Sequence, residues 1–167
     1  AFGLGGNGAH VLALGGAGNW TLNNNIAPTN AGTLALTKNG AGTLRIEGAA
    51  KVYSGGTTVN AGRLIAAESG SQRLGTGGLI VNGGTLDARG VNSILSSQLI
   101  TLNGGTAVMR LNVSQNWGNN IDVTADSTLL VRRFNSGSGH NHGFGEVTWS
   151  GNNTLTINQQ NSNTATF

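Results

Sequence analysis

One short phrase returns along this chain and decides what it can fold into: an apolar residue, Asn or another turn former, a small residue, Gly, Thr and Leu. It reads Val59-Asn60-Ala61-Gly62-Arg63-Leu64, Val81-Asn82-Gly83-Gly84-Thr85-Leu86 and Leu102-Asn103-Gly104-Gly105-Thr106-Ala107. Looser versions span 123–129 and 149–155, and upstream ones read Asn30-Ala31-Gly32-Thr33-Leu34 and Asn39-Gly40-Ala41-Gly42-Thr43-Leu44. Taken at the Leu position, the intervals from Leu44 through Leu64, Leu86, Ala107 and Leu129 to Leu155 are 20, 22, 21, 22 and 26 residues. A fixed period of this size is the mark of a repeat architecture, in which each unit buries its apolar face only by stacking on the next.

On both sides of the phrase, apolar residues alternate with polar or small ones, the period of a half-buried strand. Before it the inward candidates are Leu79/Val81, Ile100/Leu102, Ile121/Val123 and Val147/Trp149. After it they are Leu34/Leu36, Leu44/Ile46, Leu64/Ala66, Leu86/Ala88, Ala107/Met109, Leu129/Val131 and Leu155/Ile157. Two short strands, a tight Asn-Gly corner and a variable third side make one rung of a β-solenoid. The expected fold is all-β: a single-stranded parallel β-helix of about seven rungs, each of about 21 residues, filling 1–167 as one segment. Composition agrees. The 167 residues include 29 Gly, 22 Asn and 18 Thr. Gly and Asn tolerate the left-handed backbone a corner demands, and stacked Thr side chains suit a ladder. The corner threonines Thr33, Thr43, Thr85, Thr106, Thr128 and Thr154 are expected to form that ladder.

Composition also excludes much. There is one Pro and no G-X-Y period, so the chain is not collagen-like. Apolar residues are 37% and charged ones 9%, the reverse of a disordered segment. No apolar run approaches the roughly 20 residues of a spanning helix, so this segment is not expected to insert in a membrane. With no Cys, thiolate catalysis, disulfides and iron–sulfur clusters are out. A net charge of +3 from nine basic residues is too thin for nucleic acid. The chain opens on Ala1 without a basic, apolar leader, which suggests a piece of a longer protein.

Residues 36–46 (Leu-Thr-Lys-Asn-Gly-Ala-Gly-Thr-Leu-Arg-Ile), followed by Tyr53-Ser54-Gly55-Gly56-Thr57-Thr58-Val59-Asn60-Ala61-Gly62-Arg63-Leu64, closely resemble the passenger-associated strand repeat of bacterial autotransporters. The same idiom continues through Leu74-Gly75-Thr76-Gly77, so the strongest resemblance covers 32–88. It implies a right-handed parallel β-helix exported to the cell exterior, serving as stalk or passenger of a surface protein or adhesin.

No motif carries chemistry. The acids Glu47, Glu68, Asp87, Asp122, Asp126 and Glu146 are scattered and read as solvated turn and surface groups. His140 and His142 fall in a Gly/Ser/Asn-rich loop insertion, 135–145, and have no third partner for a metal. The expectation is therefore a non-enzyme without cofactor or metal. Counting four residues on from the corner Thr gives Arg89, Arg110 and Arg132, which should stand one above another. Such a file needs counter-charge and is a candidate dock for an anionic glycan or lipid headgroup; its plain alternative is stems covering apolar surface. Two residues after the corner, Ile65, Val108 and Leu130 should face outward and form a stripe for lateral association. The ends carry no Lys-rich or Pro-rich cap, so end-to-end stacking is also open. Trp20, Trp117, Trp149 and Phe134 are expected in the core. The functional expectation is a non-catalytic stalk segment of an extracellular or surface-displayed bacterial protein. A self-assembling fibre subunit is the first alternative, and a polysaccharide-active enzyme on the same scaffold the second.

Overall fold

The computed structural model describes residues 2–4, 7–28, 32–67, 72–90, 92–135, 139–160 and 162–167. Every regular element among them is a strand, and every strand pairing is parallel. Two seven-stranded sheets run the length of the molecule. The first holds Ala9–Leu14, Thr33–Lys38, Thr57–Val59, Leu79–Val81, Ile100–Asn103, Ile121–Ala125 and Val147–Trp149. The second holds Trp20–Leu22, Thr43–Ile46, Arg63–Ala66, Thr85–Arg89, Thr106–Arg110, Ser127–Arg132 and Leu155–Gln159. Successive strands of the chain alternate between them, so the backbone winds as a β-solenoid of seven coils. At about 4.8 Å per coil the stack is roughly 30 Å long.

Equivalent residues lie over one another. In the second sheet Leu44, Leu64, Leu86, Ala107 and Leu129 form one inward file and Ile46, Ala66, Ala88, Met109 and Val131 the next. Opposite them, Leu36, Thr57, Leu79, Ile100 and Ile121 make a file of the first sheet. All are buried, and their apolar members form a single cluster between the sheets. Each buried Leu or Ile contributes about 1.5–3 kcal/mol relative to exposure, but only because coils above and below close the layer.

The corners work differently from the expectation. Asn39, Asn60, Asn82 and Asn103 do not adopt left-handed backbone; instead their amides form a ladder. Asn60 donates to Asn39 at 2.7 Å, Asn82 to Asn60 at 2.7 Å and Asn103 to Asn82 at 3.0 Å. Left-handed backbone falls to glycine, with φ of 70° at Gly40 and 66° at Gly62. A side chain at Gly62 would also collide with the Gly42 and Gly40 carbonyls of the coil below. Close contact is required there because Arg63 N–H donates to Gly42 O and Thr85 N–H to Gly62 O. The Asn ladder stops where the register shifts at Leu102/Asn103 and Ala125 takes the Asn place.

Two alignments differ from the sequence reading. Thr33, Leu34 and Leu36 lie before a corner, in the first sheet, paired with Ala9–Leu14; two corner phrases ten residues apart leave no room for a coil between them. At the far end Ile157, not Leu155, stacks on Leu129, and Thr156, not Thr154, continues the threonine file. That file holds Thr85, Thr106 and Thr128 in register, but Arg63 interrupts it below. No hydroxyl-to-hydroxyl bond links its members among the described residues.

The third side is irregular except for short strands at Phe2–Leu4 with Ile26–Pro28 and at Gln115–Asn116, Asn141–Gly143 and Thr164–Thr166. Buried polar side chains bind its backbone together. Gln98 Nε2 donates to Leu74 O, Gly75 O and Gly77 O, while Asn119 Nδ2 donates to Leu95 O and Gln98 O, both at 2.7 Å.

Candidate functional site

The outer face of the second sheet carries most of the protein's accessible positive charge. Of the nine cations, Lys38, Lys51 and Arg73 are buried. Lys38 and Lys51 are absorbed by corner carbonyls: Lys38 Nζ donates to Asn39 O and Gly40 O, Lys51 Nζ to Glu47 O and Ala49 O. Burial pulls Lys51 down to about 8, aided by the Arg73 charge and opposed by Glu47. Five of the remaining six, Arg45, Arg63, Arg89, Arg110 and Arg132, occupy outward positions of this one sheet, and Arg133 follows directly.

Arg89, Arg110 and Arg132 stand in register on consecutive strands, as the spacing anticipates. At their foot lies Asp87, which is 0% exposed despite pointing off the sheet. The expectation that every acid is a solvated surface group fails here. Asp87 accepts from Arg89 Nε at 3.1 Å and Nη2 at 2.9 Å, from Arg110 Nε at 2.8 Å, and from Arg63 Nη2. Burial alone would push the Asp87 carboxyl up. Hydrogen bonds from Arg89 and Arg63, with the charges of Arg110 and Arg89, outweigh it and hold the carboxyl below its ordinary value. Three of these N–H groups converge on Oδ2 and one on Oδ1. Arg132 makes no ion pair with a carboxylate among the described residues, and its buried Nε, like that of Arg63, has no hydrogen-bond partner. Burial, then the Arg110 charge, lower the pKa of Arg132, opposed by the Asp87 charge and aided by Arg63. Arg45 is paired with Glu47.

The apolar stripe is not available in the form expected. Ile65 and Val108 do project outward beside Asp87, but they are only 8% and 4% exposed, and Leu130 is half-buried. Long arginine stems on the same face cover them. Sequence reasoning treated file and stripe as separate features, whereas they are one packed surface with Asp87 at its centre.

Several of the other titratable groups serve the fold. Asp126 caps the Thr154 N–H at 2.7 Å and Asp122 accepts from the Thr148 hydroxyl at 3.2 Å. Glu68 lies outside the described residues. No three metal-binding side chains cluster among the described residues. Part of the expected loop, 136–138, is likewise outside them, but Asn141–Gly143 is a strand rather than a loop. His142 on it is buried, and its Nδ1 accepts from the Trp117 indole N–H at 3.2 Å. Burial, aided by the His140 charge, pushes His142 down to about 4.

The two ends are open. Trp20 and Trp149 occupy core files of the outermost described coils and are each 53% exposed, with no further coil over them among the described residues; Trp117 is core as expected. An apolar hollow of about 490 Å³ at one end is lined by Leu12, Leu14, Trp20 and Leu22. Another of about 370 Å³ at the other is lined by Val147, Trp149, Leu155, Ile157 and Phe167.

By architecture the protein is a β-solenoid whose third side and ends vary while its two sheets and corners repeat. Over residues 36–66, the stretch from the Leu36 strand through two corners to Ala66, it matches the family model described as passenger-associated-transport-repeat. Comparison with curated proteins and with solved structures gives no match.

Proposed function

We propose that this chain is a stalk or passenger segment of a bacterial protein that is secreted or displayed on the outer cell surface, with no catalysis of its own. The match of residues 36–66 to a passenger-associated repeat carries this reading. A rod built of self-similar coils is suited to holding an adhesive end away from a surface. Four of the five described acidic side chains support the non-catalytic part, because Asp87 and Glu47 are held in ion pairs and Asp122 and Asp126 in hydrogen bonds, while Glu146 is exposed. Labelling intact cells that express the tagged full-length gene product tests display: surface signal is expected, and signal only after lysis would refute it. Incubation with polysaccharides tests catalysis, and release of reducing ends or unsaturated sugars would refute inactivity.

The open apolar ends favour one second reading, a fibre subunit stacking end to end. Electron microscopy of the purified chain separates the two, since a stalk segment stays a short rod and a subunit grows filaments.

A further inference from the structure

We infer that the arginine face of the second sheet is a docking site for a linear polysaccharide bearing carboxylate or sulfate groups, with Arg132 and Arg110 as its principal contacts. Four guanidinium groups, those of Arg63, Arg89, Arg110 and Arg132, stand around one carboxylate, which pairs with the first three. Asp87 offsets one of the four charges, so the cluster keeps an excess of three positive charges that the described protein does not neutralise. Of the four, Arg132 alone makes no ion pair with a carboxylate among the described residues.

Geometry selects the form of the counter-charge. Arg89, Arg110 and Arg132 repeat at the strand spacing of about 4.8 Å along the rod. A polymer with regularly spaced anions laid parallel to the axis meets one guanidinium per strand, and guanidinium binds carboxylate or sulfate oxygens through paired N–H groups. Asp87 fixes Arg89 and Arg110 through their Nε atoms, which leaves terminal nitrogens of Arg110 for a ligand and lowers the cost of ordering them.

Two other polyanions fit less well. Single-stranded nucleic acid needs aromatic platforms, and the exposed aromatics among the described residues, Trp20, Trp149 and Phe167, lie at the ends. A lipid surface favours an apolar group that inserts beside the charges, but Ile65 and Val108 on this face are buried. The inference stands independently of surface display, since it concerns what the isolated chain binds.

Titration calorimetry of the purified chain at low salt, with polygalacturonate and dextran sulfate as probes, tests it. Neutral dextran and phosphatidylglycerol vesicles are the comparison arms. Binding to the anionic polysaccharides, with none to dextran and weaker binding to vesicles, is expected. Arg132→Gln, chosen because Arg132 holds no carboxylate and its loss leaves the Asp87 cluster intact, should weaken binding roughly tenfold. Thr101→Glu, which makes the same change in net charge on the first sheet, should leave affinity within about twofold. Equal losses in the two variants, no loss in Arg132→Gln, absence of polysaccharide binding, or preference for vesicles would each overturn the inference.

Discussion

Replacing Asp87 with Asn would test whether one buried carboxylate organises the whole basic face. The substitution keeps shape but removes the charge, and it turns one acceptor oxygen into an N–H₂ donor that faces guanidinium donors. Four hydrogen bonds from three arginines are affected. Removing one partner of a buried ion pair costs about 3–5 kcal/mol. The guanidinium partners here are 15–38% exposed and can recruit water, which places the expected loss lower, at about 2–4 kcal/mol. For a chain of this size that is a fall in Tm of roughly 5–15 °C. The sharper signature is salt. With four unneutralised guanidiniums on neighbouring strands, the variant should regain stability as salt rises from roughly 0.05 to 0.5 M, whereas the parent should change little. Adding Arg89→Gln should restore part of the loss by removing one repelling charge. Urea unfolding followed by circular dichroism measures all three. If Asp87→Asn unfolds within about 0.5 kcal/mol of the parent and shows the same salt response, Asp87 is not the hub described.

His142 gives a pH dependence of definite sign. Its folded pKa, about 4, lies below the ordinary 6.5, so stability is fully present above pH 6.5 and drains as pH falls toward 4. The total is on the order of 3 kcal/mol; His142→Gln should flatten that window, and parallel profiles would refute the assignment. Gly62→Ala should cost at least about 2 kcal/mol, since it combines left-handed backbone with collision against two carbonyls. Gly8→Ala, with nothing within 4 Å of the added carbon, should be close to neutral in the same unfolding assay. Asn82→Ala breaks the amide ladder on both sides and should cost about 1 kcal/mol; a loss no larger than that of Thr101→Ala would count against a stabilising ladder.

The coil period, the two sheets and the Arg89–Arg110–Arg132 register were legible because stacking forces like residues onto like positions. Counting from the corner Thr is then counting in space. That method failed at 30–34, where a corner-like phrase precedes a strand, and at 154–157, where a longer turn shifted the register. Asp87 was misjudged as a surface acid although a signal was present. It sits between Ile65 and Val108 in one file, two residues from Arg89, and an acid in an apolar file beside arginines is seldom solvated. Lys38 offered a similar clue, since the alternation Leu34, Leu36, Lys38 turns it inward. The third side was opaque. Its buried ties, Gln98, Asn119 and His142, follow no period and depend on local backbone turns.

Because each strand of the long sheets bonds only to its counterparts one coil before and one coil after, the molecule has no contact that measures its own length. Excising one full turn, such as 64–85, would bring Arg63 directly before Leu86, the residue that follows Thr85 in the same register. The genetic consequence is that such a protein can grow or shrink by whole turns through unequal recombination without redesigning a core, whereas an indel of half a turn would set strands of one sheet over strands of the other.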